Sequence, residues 1–411
     1  MKIAIMSDLH LGYSDDALPQ AKMALEKATQ IADCIIVAGD LFDVRVPKQE
    51  IVNDGIKLFK NISEAMAAKN SGAKIKKGEK TYENLPVIAI PGTHERRTKG
   101  LVNVIDLLDS GGMLVNCHNK HITIENGHRA KPDDSDANSV CAENGERVSI
   151  LGMAGVPEEY AADVVKAAKF SPLPSHFNIF MFHQTLKEVI PMAPGISLED
   201  LPNGFDLYVN GHIHWKRELK TSDKTLLIPG STVITQMRRN EMEKKGFWLY
   251  DTITKNYEFI YIDSRPFFFK EIYVENATGE SVKNEVEKII GEVIAQNKDE
   301  KMRLPLIKIK VAGSLAKGIK SSAIDASVLA RSFEKAEVYI DKEFNMLETL
   351  KEKIELLRKL KTEEKSVAEI GIALLKEKLK ENKFNLQNEE ELFSLLSEGE
   401  VEKAIVLVKS A

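Results

Sequence analysis

Asp8 and His10 stand two residues apart just beyond a short apolar run, Lys2-Ile3-Ala4-Ile5-Met6. That run is bounded at once by Ser-Asp and then Gly, which reads as a buried strand ending in a loop. A carboxylate and an imidazole so placed can point the same way, and both are metal ligands by type. The pattern recurs along the chain. Cys34 to Ala38 runs into Gly39-Asp40, Pro86 to Ile90 into Pro91-Gly92-Thr93-His94-Glu95, Asn178 to Phe182 into His183-Gln184, and Asp206 to Asn210 into Gly211-His212-Ile213-His214. Alone, Asp-x-His reads equally well as a capping Asp beside a stray His. Five strand ends that agree point to one shared metal site, because open α/β sheets bind ligands at the carboxyl ends of their strands.

Two Asp and several neutral His give mixed oxygen and nitrogen coordination without thiolate. That set favours Mn²⁺ or Fe²⁺-like ions, allows Zn²⁺, and argues against a Cys-rich structural zinc. There are too many ligands for one ion. With Asp40 bridging, they divide into two sites ~3.5–4 Å apart, as in two-metal hydrolases. Such a pair polarises a phosphoryl group and generates hydroxide near neutral pH. His94 is not needed as a ligand and is placed to protonate the leaving alkoxide. The reaction class is phosphoester hydrolysis.

The elements that hold these loops alternate. Helical spacing covers Ala21 to Ile31, Ile51 to Met66 and Leu101 to Leu108, between the apolar strands. Ser71 to Lys80 reads as a Gly/Lys-rich loop. Further strands follow at Val148 to Met153, Leu226 to Ser231 and Gly246 to Tyr250. This alternation predicts an α/β sheet. Asn116 to Arg147 is polar and reads as hairpins or an inserted loop. Its Cys117, His118, His121, His128 and Cys141 match no zinc spacing.

At 411 residues the chain is expected to hold two to three domains. A net charge of −5 confines any nucleic-acid site to a local basic patch. No stretch is apolar enough for a membrane span, and the start reads as a strand and not a signal peptide. Three cysteines without a C-x-x-C pair fit a reducing cytoplasm.

The series Asp8-x-His10, Gly39-Asp40, Gly92-Thr93-His94-Glu95, His183 and Gly211-His212-x-His214 resembles the calcineurin-like metallophosphoesterases. Gly39-Asp40-Leu41-Phe42-Asp43, Phe182-His183-Gln184 and Pro229-Gly230-Ser231-Thr232 look more narrowly like the Mre-eleven/SbcD nucleases of DNA double-strand-break repair. The resemblance spans the chain. It implies a metallophosphoesterase β-sandwich flanked by helices over residues 1–264, a small α/β DNA-capping domain over 265–343, and a helical partner-binding region over 344–411. It implies that Asp8, His10, Asp40 and His214 hold one Mn²⁺ (Mg²⁺, Fe²⁺ or Zn²⁺ being alternatives), and that Asp40, Thr93, His183 and His212 hold the other, with His94 catalytic. The implied activity is 3′-to-5′ double-strand exonuclease and single-strand endonuclease.

Two positions depart from that pattern. Thr93 stands where the family has Asn, and a hydroxyl is the weaker donor. Asp43 stands where many members have a His linked to exonuclease action. An Asp there could orient water or His94.

Basic residues trail the metal loops: Arg45 and Lys48; Arg96, Arg97 and Lys99; Lys216 and Arg217; Arg238 and Arg239; and the run Lys74-Ile75-Lys76-Lys77. They fit a polyanionic backbone read without sequence preference. After Arg265 a strand, helix, strand series resembles the family's capping domain. From Phe344 on, Leu347, Leu350, Ile354 and Leu357 form a narrow apolar stripe, Ile370, Leu374, Leu375 and Leu379 mark a second helix, and Asn388 with Glu391 opens a third. The family implies docking of 344–411 onto a Rad-fifty/SbcC-type coiled-coil ATPase, and a homodimer for which the helices 51–66 and 101–108 are candidates. Two other readings stand beside the nuclease: a metallophosphodiesterase of small esters, and a repair scaffold with a weakened metal site.

Overall fold

A computed structural model describes residues 1–69, 74–77, 80–82, 87–98, 100–125, 147–297, 304–319, 321, 324–331 and 333–344, and in the C-terminal segment 372, 375–376, 379, 388–397 and 407–408. The chain forms two compact units. One comprises Met1–Lys270, Asn284–Ile309 and Asp325–Ile340; the other comprises Glu271–Lys283, Lys310–Ile324 and Asp341–Ala411.

The first unit is built on two sheets, with strands numbered along the chain. The six-stranded sheet runs β14 (Tyr257–Tyr261), β13 (Gly246–Asp251), β1 (Lys2–Met6), β2 (Cys34–Ala38), β5 (Val87–Ile90), β6 (Leu114–Asn116). The eight-stranded sheet runs β11 (Arg217–Lys220), β12 (Thr225–Ile228), β10 (Leu207–Asn210), β9 (Phe177–Phe182), β8 (Arg147–Met153), β7 (His121–Glu125), β3 (Lys74–Lys77), β4 (Lys80–Tyr82). The central strands β1, β2, β5, β6 and β8, β9, β10, β12 pair in parallel.

These strands are apolar runs because both of their faces are buried. Ile3, Ile5, Ile36, Ile88 and Ile90 face Ile150, Ile179, Met181, Leu207 and Val209 in the core between the sheets. The alternate residues Ala4, Met6, Ile35, Val37, Val87 and Ala89 turn outward, under α1 (Ala17–Ile31), α2 (Gln49–Lys69) and α3 (Val104–Ser110). On the far side Leu151, Phe180, Phe182 and Tyr208 meet Ala161 and Val165 of α4 (Ala161–Ala168). The result is the expected β-sandwich flanked by helices, with the period of two assigning each side chain to its layer.

Three local expectations change. The Gly/Lys-rich stretch read as a loop contains β3 and β4, since β3 pairs antiparallel with β7 at the register Ile75↔Ile124. Low strand propensity of Lys hid a pairing that cross-strand neighbours supply. The helix expected over Leu101 to Leu108 is α3, Val104–Ser110, because Asn103 caps it by accepting from the Asp106 amide at 2.9 Å. Leu101 and Val102 precede it and are exposed. The elements β11, β14 and α4 were not anticipated.

Beyond the sandwich, β15 (Phe267–Ala277), α5 (Gly279–Gln296), β16 (Leu306–Leu315) and β17 (Glu337–Phe344) give the anticipated strand, helix, strand series, with sheet order β15-β16-β17. In the C-terminal segment the helix Glu389–Ser397 begins where the Asn388 and Glu391 side chains meet at 3.2 Å. Leu392 is buried among Leu375, Leu379, Leu395, Leu407 and Val408. The stripe Leu347 to Leu357, with Ile370 and Leu374, lies outside the described residues. Among the described residues no helix is long and apolar enough to cross a membrane.

Candidate metal centre

The loops that follow β1, β2, β5, β9 and β10 meet at one edge of the sandwich. Those after β1 and β2 are stitched together, with Asp8 N donating to Gly39 O at 2.9 Å and His10 N to Asp40 O at 3.0 Å. Asp8, His10, Asp40 and His183 are all buried, and His214 nearly so. Two glycines make room. A Cβ on Gly92 would lie 2.1 Å from Asp40 Oδ1, and one on Gly39 would lie 2.3 Å from His183 Nδ1, so neither position tolerates a side chain. Four of the site residues hold left-handed backbone: Asp8 at φ 54°, His10 at 46°, Asp40 at 50° and His212 at 70°. Strain of this kind concentrates at functional sites.

The orientation of three imidazoles is fixed from behind. His183 Nδ1 donates to the Ala38 carbonyl at 2.7 Å, so Nε2 is the nitrogen left to face the centre. His10 Nδ1 faces Asp43 Oδ1 at 3.1 Å. His214 Nδ1 is bonded to Thr235 Oγ1, which itself donates to Glu241 Oε1 at 3.3 Å. Each Nε2 therefore turns inward. His10 and His214 bring theirs within 3.3 Å of each other, and His214 Nε2 is 3.6 Å from Asp8 Oδ1. His183 Nε2 lies 3.0 Å from Asp40 Oδ2 and 3.9 Å from Asp8 Oδ1. Imidazole nitrogens and carboxylates gathered this closely need positive charge between them, which a proton supplies at His183 and a bound cation would supply in its place, and held far nitrogens are the usual mark of metal-ligating histidines. The donor set fits divalent cations. Ligand atoms of Asp8, His10 and His214 converge as one group, and those of Asp40, His183 and His212 as a second.

The electrostatics agree. Burial alone would raise Asp40, but His183, His10 and His94 hold its carboxyl far below the usual range. Burial raises Asp8. Burial works against an imidazolium at His183, yet Asp40 and Asp8 outweigh it and hold the ring up to about 10. Burial and cationic neighbours push His212 down to about 4 and hold His214 well below its ordinary value, which favours the neutral imidazoles that ligate metals.

Of the remaining sequence-predicted residues, some stand beside this centre and others do not line its cavity. Thr93 Oγ1 donates to Asp40 Oδ2 at 3.4 Å, placing it beside the second group. The His94 amide donates to Asp40 Oδ1 at 2.8 Å, while its ring is bonded to the Asp43 carbonyl and reaches into a cavity of about 810 Å³. His10, Asp43 and His94 form a third converging group. Arg45 and Arg96 line that cavity, and Arg97 reaches the Arg45 carbonyl at 3.5 Å. Lys216, Arg217, Arg238 and Arg239 do not line it. Lys216 is engaged by Tyr261 Oη at 2.6 Å and by Glu243. Arg239 lies over the Phe269 ring. Lys99 and the side chains of the Lys74 to Lys77 run lie outside the described residues.

Several site residues escaped the sequence reading. Glu95 is fully buried and bridges the loops after β2 and β5, accepting from Phe42 N at 2.7 Å and Gly92 N at 2.8 Å. Burial, with Asp40 adding to it, pushes its carboxyl up to about 8. Lys245 is buried beneath the centre and donates to the His214 carbonyl at 2.9 Å, Ser231 Oγ at 3.1 Å and Glu241 Oε1 at 3.1 Å. Glu158 Oε1 lies 3.4 Å from His212 Nε2. Only Glu95 sat inside a motif that drew attention. The others stand in stretches where acidic and basic residues look like solvated surface. Of the cysteine and histidine cluster after Asn116, His118 Nδ1 accepts from the Ala154 amide and His121 meets Ser149, and neither joins a converging group among the described residues.

The family model for calcineurin-like phosphoesterase matches residues 1–216. The chain is 25% identical over 389 residues to a protein of Archaeoglobus fulgidus, covering 84% of this chain and 78% of the relative. It is 24% identical over 319 residues to one of Methanopyrus kandleri, covering 72% and 64%. It is 25% identical over 334 residues to one of Saccharolobus solfataricus, covering 76% and 75%. Each of the three is named DNA double-strand break repair protein Mre11.

Proposed function

The chain belongs to the calcineurin-like phosphoesterases, and from that premise we propose that it is a Mn²⁺-dependent, two-metal DNA nuclease of double-strand-break repair, acting as a 3′-to-5′ exonuclease on duplex DNA and an endonuclease on single strands. The observation that carries the reading is the inward turn of three Nε2 atoms onto Asp8 and Asp40. The names of the archaeal relatives supply the polynucleotide substrate.

In this reading Asp8, His10, Asp40 and His214 hold one cation, and Asp40, His183 and His212 the other, with Thr93 beside it. Such a pair supplies Lewis acidity and an activated water. The chain's own groups do the rest. Asp43 and the Asp40 carboxylate set the His94 ring and amide, leaving Nε2 able to donate a proton to the departing oxygen. Arg45 and Arg96, in the cavity wall, hold the backbone phosphates on either side of the cleaved bond.

The same reading includes three assembly features. Residues 344–411 dock on a Rad-fifty/SbcC-type ATPase, in line with the leucine cluster around Leu392. Residues 265–343 cap the DNA. Two copies pair through α2 and the 101–108 segment, in which Leu101 and Val102, just before α3, and Leu107 within it are exposed. The buried Cys34 and Cys117 suit a reducing cytoplasm.

The test is incubation of plasmid, linear duplex and hairpin DNA with the Mn²⁺-loaded chain, beside His94→Ser. The reading expects cleavage by the first and a loss of about 10²–10⁴-fold in rate for the second. Turnover of small diesters with all DNA left intact overturns it.

A further inference from the structure

The second converging group is short of donors. Asp40, His183 and His212 contribute one atom each, and the hydroxyl of Thr93 is spent as a donor to Asp40 Oδ2 at 3.4 Å. Within that group His183 is locked by the Ala38 carbonyl at 2.7 Å. Among the described residues, His212 is the one imidazole of the Asp8 and Asp40 groups that leans directly on a carboxylate from outside the metal loops and their motifs. Its Nε2 lies 3.4 Å from Glu158 Oε1.

Glu158 is itself held. It follows β8 and Pro157 at the start of a short 3₁₀ turn, Glu158–Tyr160. Both of its carboxylate oxygens accept from the Thr185 amide, at 3.1 Å each. Thr185 is two residues beyond His183, so one carboxylate ties the loop of one ligand to the ring of the other. Glu158 also lines the cavity that Thr93, His94 and His212 line. Its neighbour Glu159 lines the same cavity without touching an imidazole in any described contact.

We propose that Glu158 is the positioning residue of the second metal site, taking the Nε2 hydrogen of His212 so that the Nδ1 lone pair turns toward Asp40 and His183. The inference rests on the two-metal reading above and deepens it. Glu158 does for His212 what Asp43, Ala38 and Thr235 do for the other three rings. A carboxylate backing a ligating histidine fixes its tautomer and raises its basicity, and losing such a partner usually weakens metal binding 10–100-fold. In a site where Thr93 offers only a hydroxyl, that support weighs more, because fewer strong donors remain to hold the ion.

The test is Mn²⁺ titration of the full chain, following free Mn²⁺ by electron paramagnetic resonance and the spin-coupled signal of the filled pair. Glu158→Gln is compared with the unaltered chain, with Glu158→Asp and with Glu159→Gln. Two binding steps are expected for the unaltered chain. Glu158→Gln should weaken the weaker step about 10–100-fold, leave the tighter step in place and suppress the coupled signal, while Glu158→Asp recovers part of the loss and Glu159→Gln loses nothing. A chain that binds no Mn²⁺ overturns the metal centre and this assignment with it. Two ions bound as tightly by Glu158→Gln as by the unaltered chain overturn the role of Glu158 alone.

Discussion

Asp43 sets Oδ1 3.1 Å from Nδ1 of His10, so this carboxylate holds the outer nitrogen of a ring whose Nε2 faces His214. Asp43→Ala should free the His10 ring to change tautomer. Mn²⁺ affinity at the group of Asp8, His10 and His214 is then expected to fall about 10–100-fold. Asp43→Asn keeps an acceptor oxygen and should lose less. Calorimetric titration of the two variants checks this, and an Asp43→Ala chain with unaltered affinity rejects it.

Thr93 is expected to respond in the opposite direction. Thr93→Asn adds an amide oxygen beside Asp40, His183 and His212, and the weaker of two Mn²⁺ binding steps should tighten, on the order of tenfold by analogy with the loss of a ligand's partner. Equal affinities in parallel titrations would show that position 93 does not reach the ion.

The pH dependence follows from His183. In the metal-free chain its ring is held up to about 10 against an ordinary value of 6.5. A folded-state value above the unfolded one adds stability that is complete below about 6.5 and fades as pH climbs toward about 10. An incoming cation must displace the same proton, so apparent Mn²⁺ affinity should rise with pH across that window, by up to about tenfold per unit. Titrations in two buffers of unlike ionisation enthalpy should register the released proton. An affinity flat between about pH 7 and 8.5 argues against this account.

Lys245 and Glu241 form an ion pair at 3.1 Å with both side chains almost wholly out of water. Glu241→Gln leaves the ammonium buried without its counter-charge, which typically costs about 3–5 kcal/mol. It also slackens the Thr235 hydroxyl that steadies His214. Urea denaturation of the metal-free chain should report the loss. A variant within about 0.5 kcal/mol of the parent would mean the pair carries no weight.

Arg45 and Arg96 should be felt through salt. Arg45→Ala with Arg96→Ala is expected to weaken binding to DNA of any sequence and to reduce the slope of log affinity against log salt by about 0.9 per lost phosphate contact. Lys216→Ala should leave the slope nearly unchanged, because Glu243 and Tyr261 already occupy that ammonium. Fluorescence anisotropy with a labelled duplex at several salt concentrations separates the two.

The sandwich and the convergence of loops were legible because both rest on short-range rules. Strands buried on two faces must be apolar, and ligands gather where such strands end. The partners behind the ligands were not legible. Glu158, Thr235, Glu241 and Lys245 come from loops whose charges look solvated until the chain folds them against His212 and His214. The β3 and β4 pair was missed for a related reason, since its support comes from β7, far along the chain.

The left-handed backbone at Asp8, His10, Asp40 and His212 has a broader meaning. Glycine would sit at each of these corners with less steric conflict, yet the chain keeps large polar groups there. The centre thus holds backbone strain that a chain selected for durability alone would relieve at these corners before it altered the sheets.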